Sequence, residues 1–342
     1  MKNPNFDASN PLLIRPGTRF TKRLWLRSAK RRVGAALLAV ASLSPFTGAH
    51  AQTQAQTHAQ PMIVAHRGGT GDTPENTLQA FSTALADGAD ALWMTVQVTR
   101  DGVPVLYRPA DLSSLTDGHG KIDSIDLSAL RKLNAGYSFS RKDEAGQIAY
   151  PYRNHPLQIP TLREALEAIP PTVPLILDMK QTPPRPLVEG IAKVLDELHA
   201  WSRVRLYSTD ARATALMAAH PQAQLFESRD ATRDRLLQVA LNNRCDAPPA
   251  AGSWVGIEYD RQLEVIEHYT LGAGVSKVDA HWWTPAAVQC FKSSGNVTIV
   301  AFGVDTPDAY ATAAALGIDA VMTDSPHTLK AALRARPPTA MP

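Results

Sequence analysis

A histidine and an arginine stand side by side directly after the first apolar run of the chain. The run at residues 62–65 predicts a β-strand, and it is followed by His66, Arg67 and two glycines. An imidazole can give and take a proton near neutral pH, and a guanidinium can bind an anion through several N–H donors. The glycines allow a ligand to approach the backbone. We therefore expect acid–base chemistry at His66 and an anionic group at Arg67.

The elements that must position these residues are short β-branched runs that alternate with longer amphipathic stretches. The predicted strands are residues 62–65, 91–98, 104–107, 175–179, 204–207, 224–227, 254–258, 275–278, 298–302 and 320–323. The predicted helices are residues 77–86, 162–168, 186–198, 211–219, 263–269, 286–292, 307–316 and 325–333. Strands separated by helices favour a parallel sheet, and eight or more such units match the length of a closed (β/α)8 TIM barrel, an α/β fold.

Residues 112–160 contain more turns and polar residues than the rest of the chain. We expect this stretch to be a small insertion after the second strand region, at one end of the barrel. Chemistry in such a barrel takes place at the carboxyl ends of the strands. His66 and Arg67 come at such an end.

The net charge of +3 over 342 residues originates in the first 51 residues. They hold nine of the 35 Lys and Arg residues and one of the 32 acidic residues, which leaves 26 basic and 31 acidic side chains for the rest. The rest of the chain therefore carries a charge of −5 and has no basic stripe, so we expect no nucleic-acid partner. With 44% apolar and 20% charged residues, the composition is that of a globular chain.

Residues 1–51 have the layout of a secretory signal peptide. A basic segment precedes an apolar run at residues 33–43, and a small-x-small cleavage sequence follows at residues 49–51. The apolar run is too short to span a bilayer, so we expect no integral membrane anchor and export to the periplasm or medium from a mature start at Gln52. The predicted organisation is a signal peptide at 1–51, a linker at 52–60, the barrel at 61–336 and a tail at 337–342.

The chain contains two cysteines, Cys245 and Cys290. Their spacing matches no structural zinc motif such as Cys-x-x-Cys. In an exported protein the two thiols either form a disulfide or remain small buried apolar groups. The sequence leaves both alternatives open.

Several short motifs follow one another between Ile63 and about Leu333. They are His66-Arg67-Gly68, Pro74-Glu75-Asn76-Thr77 with Ala80-Phe81, Gly88-Ala89-Asp90, Thr99-Arg100-Asp101-Gly102, Thr116-Asp117-Gly118-His119-Gly120, Ile159-Pro160-Thr161-Leu162, Lys180, and Gly317-Ile318-Asp319 through Thr323-Asp324-Ser325-Pro326. In this order they resemble the glycerophosphodiester phosphodiesterase family. The resemblance implies a TIM barrel with a small insertion, hydrolysis of glycerophosphodiesters to glycerol phosphate and an alcohol, and a Ca²⁺ or Mg²⁺ cofactor.

The positions that carry the family's chemistry are mostly changed in this chain. The resemblance implies two metal-binding carboxylates at the end of the second strand, where Trp93 and Thr95 stand, and a second catalytic histidine, where Arg108 stands. A third carboxylate, usually Glu, is Asp178, and a late Trp is Phe302. A divalent cation needs several oxygen ligands, most of them charged. We therefore expect no bound metal ion, with Asp178 as the residual candidate ligand.

Four residues remain that can act on a phosphate group. The resemblance assigns His66 the role of a catalytic acid or base, and guanidinium and ammonium groups at Arg67, Arg108 and Lys180 can bind phosphate without a metal. The alternative for Arg108 is an ion pair with Asp178 that only closes the end of the barrel.

Replacements for the missing groups can come from polar residues near the ends of other predicted strands. The candidates are Glu258, Asp279, His281, Asp324, and His119 in the insertion. We expect Glu258 and Asp279 to lie on the surface and Asp324 to cap the helix that follows it. Trp282 and Trp283 either wall a pocket or pack in the core.

Two function classes stay open. One is an exported phosphodiester hydrolase whose metal-dependent activity is lost or altered and in which His66 works with a stand-in partner. The other is a catalytically inert barrel that binds a phosphodiester or another phosphate-bearing ligand.

Overall fold

A computed structural model of the protein describes residues 60–335. The predicted signal peptide, the linker up to residue 59 and the tail lie outside the described residues. The described chain divides into two compact units, one formed by residues 60–262 and 279–335 and the other represented by residues 263–278. Within the described range, no helix has both the length and the apolar character needed to cross a bilayer.

Most strands of the described chain belong to one sheet. The strands are β1 (Met62–His66), β2 (Ala91–Val98), β3 (Pro104–Leu106), β4 (Arg141–Lys142), β5 (Ile148–Ala149), β6 (Leu175–Met179), β7 (Val204–Tyr207), β8 (Trp254–Glu258), β9 (Asp260–Tyr269), β10 (Gly272–His281), β11 (Thr298–Phe302) and β12 (Ala320–Thr323). Seven of them form a curled parallel sheet in the order β7-β6-β2-β1-β12-β11-β8, and β3 pairs antiparallel with β2.

Helices follow most of these strands. They are α1 (Leu78–Ala86), α2 (Leu127–Leu130), α3 (Leu162–Ala168), α4 (Arg185–Glu197), α5 (Ala211–Met217), α6 (Arg229–Asn242), α7 (Pro285–Lys292), α8 (Pro307–Ala315) and α9 (Pro326–Ala335). Short 3₁₀ turns lie at Leu112–Ser114, Ile122–Ser124 and Trp201–Arg203. Alternating parallel strands and helices confirm the predicted α/β class.

The parallel ladder is open between β7 and β8. The segment at 224–227, which the sequence predicts as a strand, lies in this gap and is linked to its two edges by single parallel bridges, Leu206 to Leu225 and Phe226 to Trp254. Instead of the predicted closed barrel of eight strands, the structure shows an open, curled sheet of seven parallel strands.

Further segments differ from the sequence prediction. The predicted helix at 263–269 is wrong, because this segment belongs to β9, which pairs with β10 in a separate two-stranded sheet. Val265, Ile266 and Tyr269 are residue types that favour a strand. The sequence did not predict helix α6, because this helix has no continuous apolar stripe and only a few of its side chains are buried.

Side chains alternate between the two faces of the parallel sheet. In β2, Leu92, Met94 and Val96 pack in the layer beneath the helices, whereas Trp93 belongs to the cluster on the inner face. The period of two places Thr95 on the inner face as well. Residues that look unrelated in sequence therefore share the interior of the curled sheet.

Four aromatic rings fill the middle of this interior, and we call them the aromatic layer. They are Trp93, Tyr207, Phe226 and Phe302. The Trp93 ring centroid lies 5.1 Å from that of Tyr207 and 5.2 Å from that of Phe302. Gly256 makes room for this packing, because a Cβ atom there would clash with Cζ of Phe302. The layer separates the two ends of the interior.

Residues 112–160 follow β3 and contain α2, β4 and β5. Together with Val105 and Tyr107 they bury a small apolar cluster that includes Leu112, Ile122 and Ile159. The stretch that the sequence predicts as an insertion thus has a hydrophobic core beside the main one.

A disulfide joins Cys245, which follows α6, to Cys290 in α7, with a Cα–Cα distance of 5.6 Å. The structure thereby decides between the two alternatives that the sequence left open for these cysteines.

Candidate active site

Several polar side chains meet where the parallel strands end. His66 is the last residue of β1, Glu258 is the last residue of β8, and Asp324 directly follows β12. Asp178 lies near the end of β6, and Lys180 follows that strand. Because the carboxyl ends of parallel strands lie at the same edge, these residues form one polar end of the interior, which we call the mouth.

His66 is bound to Asp324. Its Nδ1 lies 2.6 Å from Oδ1 of Asp324, and the histidine side chain is 13% exposed. Burial raises the pKa of Asp324, but the hydrogen bond and charge of His66, with help from Thr70 and Arg67, outweigh burial and lower it. Asp324 is therefore a carboxylate that orients the imidazole.

The expectation that Asp324 caps the following helix is wrong. Ser325 performs that role, because the backbone N–H of Thr328 donates to Ser325 Oγ at 3.1 Å. The sequence offered no signal for the contact with His66, since the two residues stand 258 positions apart.

The hydrogen bonds of His66 define its tautomer. Nε of Arg67 donates to Nε2 of His66 at 3.2 Å. A guanidinium has no acceptor, so Nε2 must carry the lone pair and Nδ1 must carry the proton that it donates to Asp324. The network thus assigns a neutral imidazole whose Nε2 is the basic atom.

Arg67 is held in place by its own loop. Its φ of 52° lies in the left-handed region, and its carbonyl accepts a hydrogen bond from the N–H of Asn76 at 2.8 Å. Nη1 donates to Oε1 of Glu75 at 2.7 Å, and both side chains are largely buried. Sequence reasoning did not identify this role of Glu75. The structure places Arg67 against His66, while its binding of a phosphate stays a prediction.

Asp178 and Lys180 form the second polar pair of the mouth. Lys180 Nζ lies 3.5 Å from Oδ1 of Asp178 and donates to Oγ1 of Thr209 at 3.1 Å. Oδ1 of Asp178 is buried and accepts no hydrogen bond from the described residues. Burial raises the pKa of Asp178, and the opposing charges of Lys180, His66 and Arg108 only reduce that shift. Ionisation of this buried carboxylate therefore costs free energy.

Arg108 remains without a direct partner in the described part of the chain. Its segment is anchored beside β2 by a hydrogen bond from the N–H of Tyr107 to the carbonyl of Thr95 at 3.0 Å. Arg108 is partly exposed, and its charge lowers the pKa of Asp178 without forming an ion pair. The alternative in which Arg108 pairs with Asp178 is therefore not observed, because Lys180 occupies that position.

The residues at the expected ligand positions do not fit a divalent cation. Trp93 is part of the aromatic layer, and Thr95, which pairs with Asp178 in register, carries no charge. The ammonium of Lys180 stands beside the remaining carboxylate. Among residues 60–335, no group of three or more His, Cys, Asp or Glu side chains is placed to hold a metal ion. Ca²⁺ and Mg²⁺ prefer several oxygen ligands, which this arrangement does not supply.

Glu258 lies at the mouth and not on the surface as expected. Its carboxylate is ion-paired with Arg229, and both side chains are less than one-fifth exposed. Burial raises the pKa of the neighbouring Tyr207 to about 12, although Arg229 acts in the opposite direction. Glu258 is thus neutralised by an arginine, and Tyr207 keeps its phenolic proton.

The other candidate replacements form contacts elsewhere. Asp279 is exposed and accepts from Gln262, and Nδ1 of His281 lies 2.5 Å from Oδ1 of Asp260. His119 is exposed in the insertion. Trp282 and Trp283 are both buried, and the ring of Trp283 packs on Phe291 at 5.2 Å. The two tryptophans therefore pack in the core.

Comparisons with known proteins agree with this architecture. The model of the glycerophosphoryl diester phosphodiesterase family matches residues 66–328. The chain is 48% identical over 266 residues to the uncharacterised protein Rv2277c of Mycobacterium tuberculosis, covering 78% of this chain and 87% of that protein. It is 32% identical over 145 residues to human glycerophosphodiester phosphodiesterase 1, covering 42% of this chain and 41% of that protein.

Solved structures resemble the chain over a similar range. The crystal structure of the glycerophosphoryl diester phosphodiesterase domain of Rv2277c matches with a TM-score of 0.74 and 45% identity, covering 80% of this chain and 99% of that one. An Oleispira antarctica phosphodiesterase in complex with the product sn-glycerol-3-phosphate matches with a TM-score of 0.58 and 21% identity, covering 81% and 98%. At that identity the second match supports the fold alone.

Proposed function

The chain belongs to the glycerophosphoryl diester phosphodiesterase family, and we propose that it is an exported member that binds a phosphodiester or phosphomonoester without a divalent metal ion. The observation that carries this proposal is the position of Arg108. Its charge acts on the buried carboxylate of Asp178, and it has no direct partner among the described residues. An anion entering the mouth would supply that partner.

Charge chemistry supports a phosphate group as the ligand. A guanidinium presents a planar fork of donors that matches two phosphate oxygens, and an ammonium adds a point charge. Arg108 and Lys180 would hold the phosphate, and Arg67 would add a third cation next to His66. These are the roles that a divalent cation would otherwise serve in neutralising charge.

The site contains a group that can accept a proton, but the second acid–base group that the resemblance implies is missing. When a ligand displaces the N–H of Arg67 from Nε2 of His66, that nitrogen can take the proton of a glycerol hydroxyl as its oxygen attacks phosphorus, while Asp324 stabilises the imidazolium that forms. The departing alcohol needs a proton as its bond to phosphorus breaks. Arg108 stands where the resemblance implies a second histidine, and a guanidinium does not release its proton near neutral pH. We therefore propose that the metal-dependent hydrolysis of the family is lost.

A second candidate function is a slow, metal-independent phosphodiesterase. The specific observation in its favour is the His66–Asp324 pair at 2.6 Å, which keeps one half of an acid–base system. In that case a water molecule or a mouth residue would protonate the leaving group. The two candidates differ in turnover and share the binding site.

We further propose that the segment at 224–227 takes the eighth position of a TIM barrel, with residues 112–160 as an insertion. The two single bridges to β7 and β8 support this reading, as does the ring of Phe226 in the aromatic layer. A short, partly paired eighth strand would leave the inner layers of side chains unchanged.

The disulfide supports export, because disulfides persist in oxidising compartments and are rare in the cytosol. The measurement is the intact mass of protein recovered from the periplasm or medium. A mass that corresponds to a start at Gln52 is expected, and a mass that still contains residues 33–43 would contradict export by cleavage.

Calorimetric titration with sn-glycerol-3-phosphate tests the binding site. A charge-assisted contact is worth about 1.5–3 kcal/mol, so Arg108→Gln should weaken binding about tenfold or more. The matched control is Arg212→Gln, which removes an exposed arginine paired with Asp210 outside the mouth. Equal affinity of the wild type and Arg108→Gln would show that the phosphate binds elsewhere.

Two further measurements separate the candidate functions. Titration with Ca²⁺ and Mg²⁺ should show no sub-millimolar binding, and such binding lost in Asp178→Ala would contradict the metal-free site. Release of glycerol phosphate from glycerophosphodiesters should be absent or unaffected by metal. Turnover abolished by His66→Ala would establish the slow phosphodiesterase in place of the inert binding protein.

A further inference from the structure

A cavity of about 310 Å³ lies at the end of the sheet opposite the mouth. It opens among the amino ends of β1, β2, β6, β7 and β8. Its apolar walls include Met62, Val64, Ala91, Ile176 and Trp254, and its polar lining residues are Thr172, Ser202, Arg203 and Arg205. We call it the floor cavity.

The aromatic layer separates the floor cavity from the mouth. Ile176 pairs in register with Trp93 on one side and with Arg205 on the other, so the three side chains share the inner face. Val64 and Ile176 pack in the same cluster as the aromatic layer. The floor cavity is therefore the lower compartment of the interior, and a ligand there would not reach His66.

Arg205 gives this apolar compartment a positive charge. Its guanidinium carbon lies 5.1 Å from the centroid of the Trp254 ring. It forms no hydrogen bond or ion pair with another residue of the described chain, and burial lowers its pKa. A half-buried guanidinium is normally satisfied by a carboxylate or by carbonyl oxygens.

The neighbouring Arg203, in contrast to Arg205, has hydrogen-bond partners within the protein. Its guanidinium donates to the carbonyl oxygens of Leu166, Ile169 and Pro170. Arg203 therefore has little capacity left for a ligand. A single available cation in an apolar cavity matches a ligand with one negative charge better than a phosphate dianion.

We propose that the floor cavity binds a medium-chain carboxylate, with its carboxylate on Arg205 and its alkyl chain along the apolar wall. Arg205 can bind the two carboxylate oxygens through two parallel N–H donors. Octanoate, with ten heavy atoms, is a medium-chain carboxylate small enough for a cavity of about 310 Å³. The cavity is large enough to fall within the usual range of ligand sites. This site is separate from the one proposed for phosphate.

The test is a calorimetric titration of the full mature chain with octanoate. For a ligand of this size with one charge-assisted contact, a Kd of about 1 mM or tighter is expected. Octanol, which lacks the charge, should bind about tenfold more weakly or worse. No saturable binding of octanoate at concentrations about tenfold above that Kd would overturn the proposal.

Variants locate the binding site. Arg205→Met keeps the length of the side chain and removes the charge, and it should weaken octanoate about tenfold or more while leaving octanol unchanged. Ala91→Leu keeps Arg205 and fills the cavity, so it should weaken both ligands. The matched control Arg212→Met removes an exposed arginine and should leave both affinities unchanged.

Circular dichroism first establishes that each variant is folded. Ala91→Leu keeps the proposal testable if Arg205→Met does not fold, because it leaves the charge intact. Octanoate binding that persists unchanged in both variants would refute the floor site. Binding lost in Arg108→Gln and kept in Arg205→Met would place octanoate in the mouth and refute it as well.

Discussion

Trp93→Ala tests whether the aromatic layer has replaced a metal site. Trp93 is 3% exposed, and its ring contacts Tyr207 at 5.1 Å, Phe302 at 5.2 Å and Phe226 at 6.3 Å between centroids. Truncation of a buried tryptophan removes these contacts and leaves a cavity at the centre of the interior. The expected loss is about 3–5 kcal/mol of the free energy of unfolding.

The assay is thermal and urea-induced unfolding at pH 7. For a domain of this size, 1 kcal/mol corresponds to about 2–4 °C, so Trp93→Ala should lower Tm by about 6–20 °C. Trp93→Phe is the matched control, because it keeps an aromatic ring and should lose less. A loss below about 1 kcal/mol for Trp93→Ala would refute the structural role of this ring.

Trp93→Glu extends the test to the metal. A carboxylate beside Tyr207 and Phe302 has no cation partner in the layer, so Trp93→Glu should be less stable than Trp93→Ala. The double variant Trp93→Glu with Thr95→Asp should be the least stable in the absence of metal and should gain stability with Ca²⁺ or Mg²⁺. If Trp93→Glu is as stable as the wild type without metal, the interior is not the dry apolar layer that the reasoning requires.

Three further predictions concern single groups. Burial raises the pKa of Asp178, so the stability that its protonated form contributes is fully present below the unfolded pKa of about 3.9 and is lost as pH rises through the folded value. Asp178→Asn should therefore have a higher Tm than the wild type at pH 7, and this difference should disappear below about pH 4. Asp324→Ala removes the acceptor that holds the Nδ1 proton of His66, so nitrogen NMR should show both neutral tautomers where the wild type shows one; an unchanged spectrum would contradict the assignment. Replacement of both Cys245 and Cys290 by Ala should cost about 4 kcal/mol in urea unfolding, because the disulfide closes a loop with a sequence separation of 45, and an unchanged midpoint would contradict this.

Local patterns were sufficient to predict most elements of the sheet and its helices. The short apolar and β-branched run at residues 91–98 predicted a strand, and the period of two along a strand places Trp93 and Thr95 on one face. Helix α3 was predicted with its observed bounds from the helical spacing of its apolar residues, and the structure adds a capping box of Thr161 and Glu164 at its start. Such signals lie within a few residues of one another, so no tertiary contact is needed to interpret them.

The same local patterns failed where the deciding contact lies outside the segment. Residues 263–269 have apolar spacing that is compatible with a helix, yet β9 pairs with β10. Helix α6 has a weak apolar repeat and is stabilised at its start by the cap from Ser228 and along one side by a few buried residues. Tertiary pairing overrides a weak local preference in both cases.

The sequence by itself determined the family, the residue types available at the strand ends and the loss of the expected carboxylates at positions 93 and 95. Only the tertiary structure decided the partners of those residues. Asp324 binds His66 across 258 positions, Lys180 takes the place at Asp178 that Arg108 was considered for, and the cysteines are paired. The physical reason is that the strand order of a curled parallel sheet brings distant strand ends to one edge. The spacing of residues along the chain does not indicate which strand ends become neighbours.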